Sequence, residues 1–211
     1  MGKVALIFYL VFIALAFGLR TFVQWRRTGS TGFKGVSGRP GSLEWIGRVL
    51  FIVALVCGIA APLLDIAGVL KPIGWLDGGV LQGLGCLLFG IGLVGTVFSQ
   101  FLMGDSWRIG VDFSERTTLV TGGPFSYVRN PIFTAMLTAA AGLTLVVPNV
   151  AAVAALIGLI VAVEIQVRAV EEPYLLEAHG AVYAEYAARV GRFVPGLGLL
   201  NGAHAPGERR A

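Results

Sequence analysis

The residues from Asn130 to Val163 form a run of 34 positions without a single charge. A lipid hydrocarbon core about 30 Å thick is crossed by roughly 20 apolar helical residues, so this run is too long for one crossing and too apolar for a soluble core. Pro148-Asn149, near its middle, is a turn dipeptide at which a helix stops. The run therefore predicts a tight hairpin of two membrane helices. Three further uncharged stretches precede it, Val4 to Leu19, Val49 to Leu64 and Gly78 to Gly104, giving five helices in an all-α integral membrane protein. Composition agrees: only 13% of the 211 residues are charged and the mean hydropathy is +0.80, against roughly 25% charged in an ordinary soluble domain.

The few charges set an orientation. Arg20, Arg26 and Arg27 come after the first stretch, the wrong side for a signal peptide. An outside N-terminus and inside C-terminus put 14 of the 16 Lys and Arg residues on the cytoplasmic side and leave only Lys3 and Lys71 outside, as the positive-inside bias requires. No basic run is dense enough to track a phosphate backbone, so nucleic acid is not an expected partner. Two cysteines, Cys57 and Cys86, and two histidines, His179 and His204, fall in no metal-ligand spacing, and no metal is expected. Gly90-Ile91-Gly92-Leu93-Val94-Gly95 matches a dinucleotide fingerprint in letters alone, because that fingerprint works at a strand-to-helix turn. Within a span, small residues serve close helix packing, here expected of Gly79, Gly83, Cys86 and Gly90. Arg outnumbers Lys 13 to 3 amid abundant Ala and Gly, which suits a GC-rich bacterial genome and hence the inner membrane.

Polar residues gather at Asp105 to Asn130 and at Glu164 to Pro195, on either side of the hairpin. Since the hairpin reverses the chain, Tyr127, Arg129 and Asn130 are expected to meet Glu164, Arg168, Glu171 and Glu172 at the cytoplasmic surface. Glu164, Arg168 and Glu172 fall at successive i, i+4 positions and predict one acid, base, acid face with Glu171 beside it. An ionisable group at membrane depth usually faces a cavity or a partner. Pro131 suits the first turn of helix four with Asn130 as its N-cap, whereas Arg129 there opposes the helix dipole and calls for an acidic neighbour or an anionic ligand group. The segment Thr117 to Phe125, with Gly122-Gly123-Pro124, is irregular and either exposes main-chain groups to a planar heterocycle or only connects. Tyr174 to Val190 is amphipathic and predicts an interfacial helix across the cytoplasmic mouth.

These residues resemble the isoprenylcysteine carboxyl methyltransferases and their prokaryotic relatives over roughly Gly104 to Pro195. Leu119-Val120-Thr121-Gly122-Gly123-Pro124-Phe125 is similar to that family's Leu-Val-x-x-Gly-Pro-Tyr, and Arg129-Asn130-Pro131-Ile132-Phe133 to its Arg-His-Pro-x-Tyr. Glu171-Glu172 looks like its paired glutamates, and Gly180, Tyr183, Tyr186 and Arg192-Phe193-Val194-Pro195 like its closing motifs. Asn130 and Phe133 depart from the family's histidine and tyrosine, losing a titratable ring and a hydroxyl. The resemblance implies methyl transfer from S-adenosyl-L-methionine, held at the cytoplasmic face, to a carboxylate or other nucleophile on a prenyl or lipid-like substrate entering from the bilayer. It implies Arg129, Glu171 and Glu172 as catalytic residues. Leu119, Val120, Tyr127, Asn130, Phe133, Arg168, Glu171, Glu172, Tyr186 and Arg192 are implied as the cofactor's surroundings. In that reading the glutamates hold the cofactor's ammonium or ribose hydroxyls or accept a proton, and Arg129 neutralises a cofactor or substrate carboxylate.

The chain then divides into three membrane helices over 1–103, a methyltransferase-like region over 104–195 that includes the hairpin 131–170, and a polar tail over 196–211. Two rival readings stand beside this one: an NADPH-dependent membrane reductase of the sterol-reductase type, which would gather Arg129, Arg168, Arg189 and Arg192 on phosphates, and a membrane subunit that kept the fold without the chemistry.

Overall fold

The first helix, α1 (Gly2–Thr28), is long and apolar enough to cross a membrane, yet it is not a uniform α-helix. Ile13–Leu19 is wound as a π segment, which takes up an extra residue in the turn and re-aims the side chains after it. The first of these is Arg20, 1% exposed in a membrane-length helix. Its guanidinium donates to the Gly104 carbonyl at 2.6 Å and lies 4.5 Å from the centre of the Trp107 ring, so its charge is spread over carbonyl and aromatic partners. The computed structural model describes residues 1–32, 38–107 and 118–200, and among them there are helices and turns but no strand, only an isolated bridge between Val128 and Gly191.

Three more helices are long and apolar enough to cross: α2 (Leu43–Ile66), α3 (Gly79–Leu102) and α5 (Val150–His179). The expectation of five spans is met only in part, because α4 (Pro131–Val146) has 16 residues and reaches about 24 Å, short of the roughly 30 Å hydrocarbon core. The expected hairpin is nevertheless present. Asn149 caps α5 by accepting the Ala152 N–H at 3.0 Å, and its amide donates to the Ala61 carbonyl of α2 at 3.0 Å. One fully buried side chain thus starts α5 and ties its beginning to α2.

The two arms of the hairpin pack on different neighbours, α4 on α3 and α5 on α2, while α1 leans on α2 and α4. The α3–α4 seam is close because of glycines, although not those expected from sequence. A methyl group added at Gly79, Gly83 or Gly90 would meet nothing. One at Gly85 would press on the Gly142 carbonyl, and one at Gly92 would collide with the backbones of Ala135 and Ala139. The helix periodicity puts Gly85 and Gly92 on a face offset from Gly79, Gly83 and Gly90, and the small residues of α4 select it. Phe8 of α1 stacks on Phe89 at 4.4 Å, and Phe12, Met136, Leu159, Val163 and Val167 complete the buried core of the bundle.

A single amphipathic helix over Tyr174 to Val190 is not what forms. Gly180 has φ +55°, a conformation that costs other residues a steric clash, and it divides the segment into the end of α5 and a separate helix α6 (Ala181–Arg189). The expectations for Arg108, Arg116 and Thr117, for His204 and for residues 201–211 of the polar tail lie outside the described residues.

Candidate functional site

Helix α5 winds a second π segment over Val167–Glu171, and this overturns the expected acid, base, acid face. In a regular helix Glu164, Arg168 and Glu172 share one side. Glu164 and Arg168 pair with each other on the outside, with side chains 38% and 60% exposed, whereas Glu172, just past the π segment, is buried at 5%. Glu171 is left half-buried and accepts from the Gln166 amide at 3.3 Å.

Both oxygens of the buried Glu172 are engaged. Oε1 accepts from Arg129 Nη2 at 2.6 Å and from Arg192 Nε at 2.8 Å, and Oε2 accepts from Arg192 Nη2 at 2.9 Å. Arg129 goes on to donate to the main-chain carbonyls of Ala187 at 3.0 Å, Val190 at 2.5 Å and Gly198 at 3.0 Å. Its fork geometry makes it able to hold several acceptors at fixed positions. The backbone adds to the lacing, Arg129 N–H to the Gly191 carbonyl at 2.8 Å and Asn130 N–H to that of Arg192 at 3.1 Å. Asn130 sits at the N-cap position, yet its side chain makes no capping bond there. Its amide nitrogen donates to the Arg192 carbonyl at 3.1 Å. The acidic neighbour required by Arg129 is Glu172. Together these bonds fold residues 187–200 back onto the start of α4.

This lacing closes one wall of a cavity of about 570 Å³, within the usual range for a small-molecule or cofactor site. At its polar end are Arg129, Asn130, Glu171, Tyr183 and Tyr186, with Thr118, Leu119 and Val120 beside them. At its apolar end are Phe17 of α1, Phe51 and Leu55 of α2, Met136 of α4 and Val163 of α5. Two atoms of buried lining residues have no hydrogen-bond partner, Nε of Arg129 and Oε1 of Gln100. Burial raises the Tyr183 hydroxyl well above the usual tyrosine range, helped by the nearby Glu172 charge and only partly offset by Arg129. Burial likewise pushes Tyr186 up to about 12 against the pull of Arg129. Both phenols are thus proton-bearing at neutral pH, and that of Tyr186 donates to the Phe125 carbonyl at 2.5 Å. The Arg192 guanidinium, bonded to Glu172, is held still further above its ordinary value.

Of the residues singled out from sequence, Leu119, Val120, Arg129, Asn130, Phe133, Glu171 and Tyr186 line this cavity. Glu172 and Arg192 stand behind its wall as an ion pair, Arg168 is outside on Glu164, and Tyr127 is 71% exposed at the surface. Sequence reasoning passed over Gln100, Trp107 and the aromatic residues of α1 and α2. A glutamine inside the uncharged α3 was the available signal, since a polar group at such a position needs a partner. Among the described residues no group of three His, Cys, Asp or Glu is placed to hold a metal ion.

Residues 80–182 match the family model described as phospholipid methyltransferase, which also takes in the isoprenylcysteine carboxyl methyltransferase-like proteins. The matched stretch contains the loop at Leu119, Arg129 and both Glu171 and Glu172, and leaves α1 and α2 outside. No curated protein matches the chain.

Proposed function

Over residues 80–182 the chain belongs to the phospholipid methyltransferase family, and from that premise we propose that it is an S-adenosyl-L-methionine-dependent membrane methyltransferase acting on a nucleophile of a lipophilic, prenyl or lipid-like acceptor. The observation that carries the reading is the cavity with one polar and one apolar end, walled on both sides of the hairpin. Its lining fits the cofactor: the Glu171 carboxylate suits an ammonium or a hydroxyl, the Arg129 and Gln100 side chains stand at the same cavity, and Leu119, Val120 and Phe133 offer apolar surface to a heterocycle.

S-adenosyl-L-methionine supplies, when bound, an electrophilic methyl group that an acceptor takes by direct displacement, a reaction that chiefly demands alignment and a dry site. In this reading Glu171 is the carboxylate on the cavity wall, placed to pair with a cationic group or to take a proton from the acceptor. Tyr183 and Tyr186 keep their protons and act as donors and walls. Glu172 holds Arg129 in position and touches no ligand itself. Of Arg129, Arg168, Arg189 and Arg192 only Arg129 lines the cavity, which counts against the phosphate-binding role that a nicotinamide cofactor would ask of them together.

The cytoplasmic placement of this end, with the N-terminus outside, rests on the distribution of basic residues, and the bacterial inner membrane on composition. Purified protein titrated with S-adenosylhomocysteine and, separately, with NADPH tests the cofactor. A rise in thermal midpoint with the former alone is expected, and a rise with NADPH alone overturns the proposal.

A further inference from the structure

A second, smaller cavity of about 70 Å³ lies next to the main one. Leu55 of α2 and Met136 of α4 line both, so these two side chains are the partition between them. Leu55 also lies near the middle of α2 (Leu43–Ile66), seven residues, about 10 Å, from Arg48, which lines the main cavity as well. The smaller cavity is apolar and built from small residues, among them Ala54, Gly58, Ala61, Ala139 and Ala155. Its frame is rigid: the Tyr9 hydroxyl of α1 donates to the Leu55 carbonyl at 2.7 Å, fixing the backbone on one side of the partition. The other side is a methionine, 5% exposed, whose unbranched thioether adapts to what it meets.

We propose that Met136, set against Leu55, is the chain-length stop for the hydrocarbon tail of the acceptor. The tail occupies the apolar end of the main cavity, its head faces Glu171 and Arg129, and its last carbons meet Met136. The smaller cavity is the space beyond the stop, enough for about two methylene-sized groups by comparison with the ~30 Å³ share of a liquid water. Most of this tail site comes from α1 and α2, outside the family-matched stretch, which gives those helices a role in acceptor choice. The inference rests on the acceptor being lipophilic, as proposed above, and does not depend on the methyl donor.

The test uses purified full-length protein in lipid nanodiscs and a series of single-chain alkylamines of increasing length, each carrying a diazirine at the chain end. After irradiation, labelled peptides are mapped by mass spectrometry. In the wild type, label is expected at Phe51, Met136 and Val163, with labelling falling once the chain exceeds a fixed length. In Met136→Ala, label is expected to move to Tyr9, Ala139 and Leu143 and the length limit to extend by about two carbons. Met136→Leu keeps the volume and is expected to keep the wild-type limit, so a fold defect in the alanine variant would show as a lowered thermal midpoint in that variant alone. If the alanine variant is too unstable, Met136→Val serves in its place. The same label pattern and length limit in wild type and variant, or label confined to the outward α3 positions Val80, Leu87 and Ile91, overturns the stop. A shift in label without any stabilisation by S-adenosylhomocysteine would leave the stop standing and remove the proposed donor; stabilisation without the shift would do the reverse.

Discussion

Helix α5 carries two glutamate–arginine pairings eight residues apart, and they have little in common beyond residue type. Glu164 and Arg168 meet on the outside, one partly and the other well exposed, where such a pair contributes between zero and about 1 kcal/mol. Glu172 is buried with Arg129 and Arg192, and removing one partner from such a cluster costs about 3–5 kcal/mol because the remaining charge is stranded. The difference comes from what surrounds each carboxylate, since Glu172 meets Arg129 and the returning segment at Arg192 and Glu164 does not. One π segment, Val167–Glu171, separates a decorative pair from the knot that folds residues 187–200 over the cavity.

The most direct way to break this contrast is at Glu172 itself. Glu172→Gln keeps the backbone and strands two guanidinium groups, so a loss of about 3–5 kcal/mol is expected, whereas Glu164→Gln should fall within about 1 kcal/mol of wild type. Equal losses in the two variants would remove the distinction drawn between the pairs. Glu171→Gln sharpens it from the other side. Its carboxylate lines the cavity, so stability should change by less than about 0.5 kcal/mol while methyl transfer drops about 100-fold, the scale of a lost general base or charge partner. A modest effect is expected at Tyr186. Its pKa is raised in the folded protein, so folding favours the protonated phenol. That stability is complete below the unfolded value near 10 and is lost as pH rises through about 12. Tyr186→Phe should cost about 1 kcal/mol at neutral pH, one hydrogen bond, and flatten the alkaline fall.

Several of these features were legible in the sequence for simple reasons. The Pro148-Asn149 turn is local chemistry, and Asn149 does cap α5. The meeting of the Arg129 region with the end of α5 came from chain reversal alone. The burial of Glu172 was not legible, because it depends on the segment carrying Arg192 folding back onto the end of α5, a long-range event that helical spacing does not report. Gly85 and Gly92 were missed in favour of Gly79, Gly83 and Gly90 because all of them occupy the same apolar helix, and only the position of α4 decides which face is closed. Phe17, Phe51 and Met136 read as ordinary membrane helix, since apolar cavity wall and apolar packing surface are made of the same side chains.

The central claim, methyl transfer to a lipophilic acceptor at this cavity, is tested most directly by incubating membranes that contain the protein with isotopically labelled S-adenosyl-L-methionine and measuring the lipid extract by mass spectrometry. Labelled methyl groups in a lipid species are expected with the wild type, and a fall of about 100-fold with Glu171→Gln at equal protein level. No labelled lipid with the wild type, or equal labelling with both proteins, would contradict the account.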